Sequence, residues 1–200
     1  MRQNVVDAAS RKGDFVSEYQ RVGGSAFREL MSRFPTGVAV VTSVDEEGEP
    51  RGLTCSSLAS VTLCPPTLLV CIRDTSPTLA AIHARKAFAV NLLNEHSAKV
   101  AKLFSTPIPD RFHQIDWHAS DVLGLPWLET GTVAHADCLL SRGIPMGDHV
   151  VVLGEVVAVE RFTSRPLINS MRNFAGWRDS LVESHALVES HTENGEHRTT

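Results

Sequence analysis

The chain has 200 residues, 42% hydrophobic and 21% charged, which suits one globular domain with a sizeable core and leaves a second full domain cramped. A formal net charge of −4 gives no chain-wide reason to expect nucleic-acid or anionic-membrane binding. No apolar run reaches the roughly 18 residues needed to span a bilayer, and residues 1–14 lack the apolar core of a signal peptide, so a cytoplasmic location is expected.

Residues 1–24 are polar, carry Gly13, Gly23 and Gly24, and read as a flexible arm. The domain is expected to begin at Ser25. Over 25–34, Phe27, Leu30, Met31 and Phe34 stand at i, i+3, i+4 and i+7, which predicts an amphipathic helix packed on something larger, with Ser25 as N-cap and Pro35 as stop. From Gly37 the period changes. The β-branched run 38–44, the turn 45–48 and the extended segment 51–58 predict a hairpin.

A third strand is predicted over 67–73, after Pro65-Pro66, and a fourth over 87–93, with the short alanine-rich helix 77–85 between them. A helix over 97–104 would place Val100, Leu103 and Phe104 on one face. Residues 106–130 read as loop, since Pro107, Pro109 and Pro126 interrupt regular structure. Segments 132–140 and 149–162 give two more strands, the second long enough to bend through Gly154. About six strands with few helices predict a mainly β fold, an antiparallel barrel closed or partly closed, spanning 25–178. Residues 179–200 read as a weakly ordered tail; His185, His191 and His197 recur there at a spacing that does not align them on a helix.

Four cysteines, Cys55, Cys64, Cys71 and Cys138, are widely spaced and form no C-x-x-C pair, so reduced, buried thiols are expected. Phosphate-loop, serine-hydrolase elbow, zinc-protease and strand-bounded dinucleotide motifs are all missing. Four features remain. The stretch Thr54-Cys55-Ser56-Ser57-Leu58-Ala59-Ser60-Val61-Thr62 is dense in small hydroxyls, which grip a polar ring edge or a phosphate, or simply fill turns. Arg73-Asp74-Thr75-Ser76-Pro77 delivers a strand end into a helix start, either an anion site or an ordinary N-cap. Asn91, inside an apolar strand, needs a partner from protein or ligand. Gly147-Asp148-His149 stands at the entrance of the apolar strand 150–156, where the histidine either faces a ligand or closes the barrel mouth.

In this order, these pieces resemble the short-chain flavin reductase family, the reductase components of two-component flavin-dependent monooxygenases. The resemblance covers about 27–162. It rests on Phe34-Pro35-Thr36-Gly37-Val38, Gly52-Leu53-Thr54-Cys55-Ser56-Ser57, Ser60-Val61-Thr62, Pro65-Pro66, Ser76, Phe88-Ala89-Val90-Asn91-Leu92-Leu93 and Gly147-Asp148-His149.

The resemblance implies a six-stranded antiparallel split β-barrel that binds FMN or FAD and takes hydride from NADH or NADPH, NADH favoured. Thr36, Thr54, Cys55, Ser56, Ser57, Ser60 and Val61, with the backbone of Ala89, Val90 and Asn91, would lie about the isoalloxazine and ribityl chain. Ser76, helped by Arg73 and Thr75, would meet the flavin phosphate. Phe104, Arg111 and Phe112 would close over the flavin, and His149 would face the nicotinamide, with Asp148 setting its tautomer and Gly147 allowing close approach. Asn169 stands where the family often has a tyrosine. The family further implies a homodimer and a separate monooxygenase fed by diffusing reduced flavin. A non-catalytic flavin-binding split barrel and a flavin-dependent split-barrel oxidase are the alternative readings.

Overall fold

The computed structural model describes residues 22–106, 108 and 111–176. The expectations for most of the arm, for the tail and for its three histidines fall outside the described residues. The chain divides after Phe34 into two compact units. In the first unit, α1 (Gly24–Ser32) begins at Gly23, whose extended backbone (φ −70°, ψ 150°) makes it the N-cap. Ser25 therefore lies inside the first turn and caps nothing. The predicted apolar face is present, yet none of the helix is buried: Phe27 is 57% and Leu30 64% exposed.

The second unit runs through β1 (Thr36–Gly37), β2 (Ala39–Val44), β3 (Pro50–Cys55), β4 (Ala59–Leu63), β5 (Pro66–Arg73), α2 (Pro77–Arg85), β6 (Ala87–Leu93) and α3 (Ala98–Ser105). A 3-10 turn (Arg111–Gln114), β7 (Trp117–Ala119), β8 (Pro126–Leu128), β9 (Thr132–Met146), β10 (His149–Arg161), β11 (Leu167–Ser170) and β12 (Asn173–Gly176) follow. The β2–β3 hairpin forms as predicted. Asp45 Oδ1 accepts the N–H groups of Glu47 and Glu49, its Oδ2 meets Arg51 at 2.7 Å, and Gly48 takes the left-handed turn position at φ +86°.

Seven antiparallel strands form the main sheet, in the order β3-β2-β6-β9-β10-β5-β4. The expected six-stranded count is therefore too low, because β4 comes from the stretch read only as a hydroxyl-rich connection; it pairs with β5 while every residue of it stays exposed. The sheet is open, with no backbone ladder joining β3 to β4. Alternation over residues 38–41 puts Ala39 and Val41 in one core with Ile72, Phe88 and Val152, and Val38 and Val40 in a second with Leu93, Phe104 and Leu128. Both faces of β2 are thus covered, which explains its continuous apolar run.

The segment 106–130 is more structured than a loop. Its β7 and β8 pair with each other, and Pro126 opens β8 in a two-stranded sheet, where a missing N–H is tolerated. Two buried side chains organise it. Asp137 of β9 accepts from Ser120 Oγ at 2.6 Å, Leu123 N at 3.1 Å and Trp127 Nε1 at 2.8 Å. Asn91 of β6 donates to Val40 O at 3.1 Å and Thr42 Oγ1 at 3.2 Å, and accepts from Leu128 N at 2.9 Å. The partner that Asn91 required is protein.

Strand β9 also runs beyond its predicted end, to Met146, and β10 bends where expected, with a register shift between Leu153 and Gly154. Beyond β10 the sequence predicted no strand. There β11 and β12 join β1 in a three-stranded sheet, their hairpin turning through Met171 and Arg172 at φ +49° and +65°.

Candidate functional site

A cleft of about 760 Å³ opens between β3, the ends of β5 and α3, the start of α2, and the 3-10 turn, with Trp117 and His149 at its margins. One wall depends on Gly52. A Cβ there would lie 3.1 Å from the rings of both Phe104 and Phe112, tighter than ordinary contact, so glycine lets these aromatics close edge-to-face (ring centres 5.1 Å apart) against β3 without displacement. Arg111 pins this wall: Nη1 donates to Gly52 O at 3.0 Å and Phe104 O at 3.2 Å, Nε donates to Ile108 O, and burial lowers its pKa from the ordinary value. Its role among the described residues is therefore to fasten Phe104 and Ile108 to β3.

The opposite end is polar and cationic. Ser76 occupies the N-cap of α2, Pro77 fills the first helical position, and the Ser76 hydroxyl makes no capping hydrogen bond. A free hydroxyl and a helix N-terminus, with Arg73 lining the same cleft, form a donor set suited to a dianionic phosphate. His149, first residue of β10, lies directly opposite Arg73 in the ladder with β5 and opposite Met146 in the ladder with β9.

Gly147 and Asp148 are thus the two-residue loop of the β9–β10 hairpin. Gly147 has φ +62°, and no protein atom lies within 4 Å of where its Cβ would be. Positive φ at the first loop position marks a II′-type turn, a conformation that favours glycine. Asp148 Oδ1 lies 2.8 Å from His149 Nδ1, and Oδ2 lies 3.8 Å from Arg73 Nη1. The histidine hydrogen bond first, then the nearby charges of His149 and Arg73, hold the Asp148 carboxyl below the ordinary carboxylate range. An ionised carboxylate only accepts, so this contact places a proton on His149 Nδ1.

Of the residues singled out from sequence, Thr54, Arg73, Ser76, Phe104, Arg111, Phe112 and His149 line this one cleft. The Thr54 hydroxyl is already engaged, donating to Ala101 O of α3 at 2.7 Å. The others lie elsewhere. Ala89, Val90 and Asn91 are buried within the sheet at 0–1% exposure, and Asn91 spends its amide on β2 and β8. Cys55 is buried, which raises its thiol pKa, with Sγ 3.1 Å from Ser57 Oγ. Ser57 bonds across to β5, Ser56 is exposed, and Ser60 and Val61 stand on exposed β4. Thr75 is exposed outside the cleft lining, while Thr36 pairs with Asn169 between β1 and β11.

All four cysteines are free, but Cys64 is exposed and Cys71 half-buried, against the expectation of burial. The sequence reading passed over Arg51, Cys71 and Trp117 in the cleft wall. Trp117 carried no local signal, since its strand forms only where Asp137 and Asn91 anchor the neighbouring turn.

A match to the family described as "Flavin reductase like domain" spans residues 31–178. "Flavin reductase (NADPH)" of Lentzea aerocolonigenes is 51% identical over 150 residues, 75% of this chain and 88% of that protein. "Flavin reductase (NADH)" of Kitasatospora aureofaciens is 40% identical over 158 residues, 78% and 83% of the two chains. Among solved structures, a homologue of nitrilotriacetate monooxygenase component B from Mycobacterium thermoresistibile superposes with a TM-score of 0.73 at 36% identity, covering 78% of this chain and 87% of that one.

Proposed function

The chain belongs to the flavin reductase-like domain family, and from that premise we propose that it is an NAD(P)H:flavin oxidoreductase that supplies reduced flavin to a separate monooxygenase. The observation that carries this reading is the convergence in one cleft of the uncommitted Ser76 hydroxyl, Arg73 and His149. These residues fit a flavin phosphate at the α2 N-terminus. The nicotinamide and the flavin supply the chemistry, a hydride passing from one ring to the other. The protein's part is positioning, so no acid–base triad is needed.

In this reading His149, fixed in tautomer by Asp148, faces the nicotinamide, while the aromatic wall of Phe104 and Phe112 shields the cleft. FMN and FAD are both substrates. NADH is the favoured donor in this reading, and the relatives above, one named for NADPH and one for NADH, make both nicotinamides arms of the test. A split barrel is supported by the Ser57 hydroxyl linking the end of β3 to β5. Exposed apolar residues on β4, β9 and β10, led by Leu63 at 86% and Met146 at 66%, support a homodimer. Four free thiols support a cytoplasmic location.

Steady-state oxidation of NADH and NADPH with excess FMN, FAD or riboflavin tests the reading. Rapid oxidation is expected, and background rates with every pair overturn it.

A further inference from the structure

We propose that Asp148 weakens the cleft's hold on the flavin phosphate by competing for Arg73, and so sets how readily flavin leaves. The proposal rests on the flavin reductase reading. The backbone fixes the competitors: Arg73 ends β5 opposite His149, and the Asp74 N–H donates to Asp148 O at 3.1 Å, tying the hairpin loop to the strand end. The Asp148 carboxylate is divided, one oxygen on His149 and the other toward the Arg73 guanidinium at 3.8 Å. Arg73 is the cation that a phosphate at Ser76 would use.

A bound phosphate therefore shares its arginine with a carboxylate and is repelled by that carboxylate. The side chains are 64% and 70% exposed, so solvent screens the effect to a modest size. A modest penalty suits a flavin that must depart as product. Because the same carboxylate orients His149, removing its charge has two consequences of opposite sign: phosphate-bearing flavin binds more tightly, and hydride transfer slows. A residue that merely supported the loop would not produce that split.

The test is titration of the full-length chain with FMN and riboflavin, for the parent protein, Asp148→Asn, Asp148→Ala and Asp74→Asn, with steady-state kcat alongside. Asp148→Asn is expected to tighten FMN about two- to fivefold at low salt, with riboflavin unchanged and the gain shrinking as salt rises. Asp74→Asn removes the same charge from a residue that forms no ion pair among the described residues, and is expected to change FMN affinity less. Unchanged or weaker FMN binding in both Asp148 variants overturns the proposal, as does equal tightening of riboflavin. Failure of the parent reading is distinct: it shows as absent NADH and NADPH oxidation with every flavin, whatever the affinities.

Discussion

The Ser57 hydroxyl lies 2.9 Å from the amide nitrogen of Cys71 and 3.2 Å from its carbonyl oxygen, accepting from one and donating to the other. One side chain thereby does what a strand partner would do for Cys71, on the side of β5 that faces the end of β3. Ser57→Ala is expected to cost about 1 kcal/mol and to lower hydrogen-exchange protection of the Cys71 amide. Unchanged protection at Cys71 would remove Ser57 from this role.

Asn91 joins three strands through one amide, and both ends of that amide are used. Asn91→Leu leaves the Leu128 N–H without its partner in a buried setting. A loss of about 3 kcal/mol in denaturant unfolding is expected, with the 117–128 segment losing exchange protection first. A purely flavin-contacting asparagine would leave apo-protein stability unchanged.

Gly154 sits at the β10 bulge, where a Cβ would overlap the Phe88 ring and stand 2.9 Å from Cys138 Cβ. Phe88 and Cys138 are fully buried and cannot step aside, so Gly154→Ala is expected to destabilise by about 1–3 kcal/mol. Thermal unfolding measures it. The same burial pushes the Cys138 thiol up to about 12, so slow alkylation of Cys138 relative to exposed Cys64 is the companion readout.

His135 is buried between Trp127 and Phe162, at ring separations of 4.8 and 5.2 Å, and neither ring nitrogen makes a hydrogen bond. Burial lowers its pKa below the ordinary 6.5, with Glu160 at 3.8 Å opposing the shift and His118 adding to it. Below 6.5 the unfolded chain binds a proton that the folded one resists. This contribution is therefore fully present above 6.5 and is lost as pH falls toward the folded-state value. The melting temperature should fall through that window, and His135→Phe should flatten the fall; an unaltered profile would assign the acid sensitivity to other groups.

His149→Ala is expected to lose most of the NADH-dependent flavin reduction while folding normally, because the side chain is partly exposed at a hairpin edge. The loss should appear chiefly in kcat and KM for the nicotinamide, with flavin affinity little changed. Loss of flavin affinity alone would place His149 against the flavin instead.

Much of this was legible because the decisive signals were local. The β-branched run of β2, the Asp45 to Gly48 turn, the Pro77 helix start and the β6 run each follow from residues within a few positions. So did the polar end of the cleft, since Arg73, Ser76 and His149 lie at strand and helix ends that hydrophobic patterning located. Gly154 announced its own bend. By contrast, β7 and β8 could not be read from 106–130, because their order comes from Asp137 and Asn91, side chains of strands distant in sequence. β4 has no buried residue, so no apolar pattern marked it as a strand.

The sequence by itself determined the mainly β class, the hairpin, the two flanking helices of the main unit and the family, since each depends on local spacing and short motifs. Tertiary structure decided the rest. It tied the Asn91 side chain across strands, gave Gly147 its left-handed backbone angle, and set Gly52 beneath two aromatic rings. It also brought Arg73 and Asp148 within 3.8 Å, from positions far apart in the chain. Which polar group meets ligand and which meets protein is set by long-range contacts, and a single chain written in order does not display them.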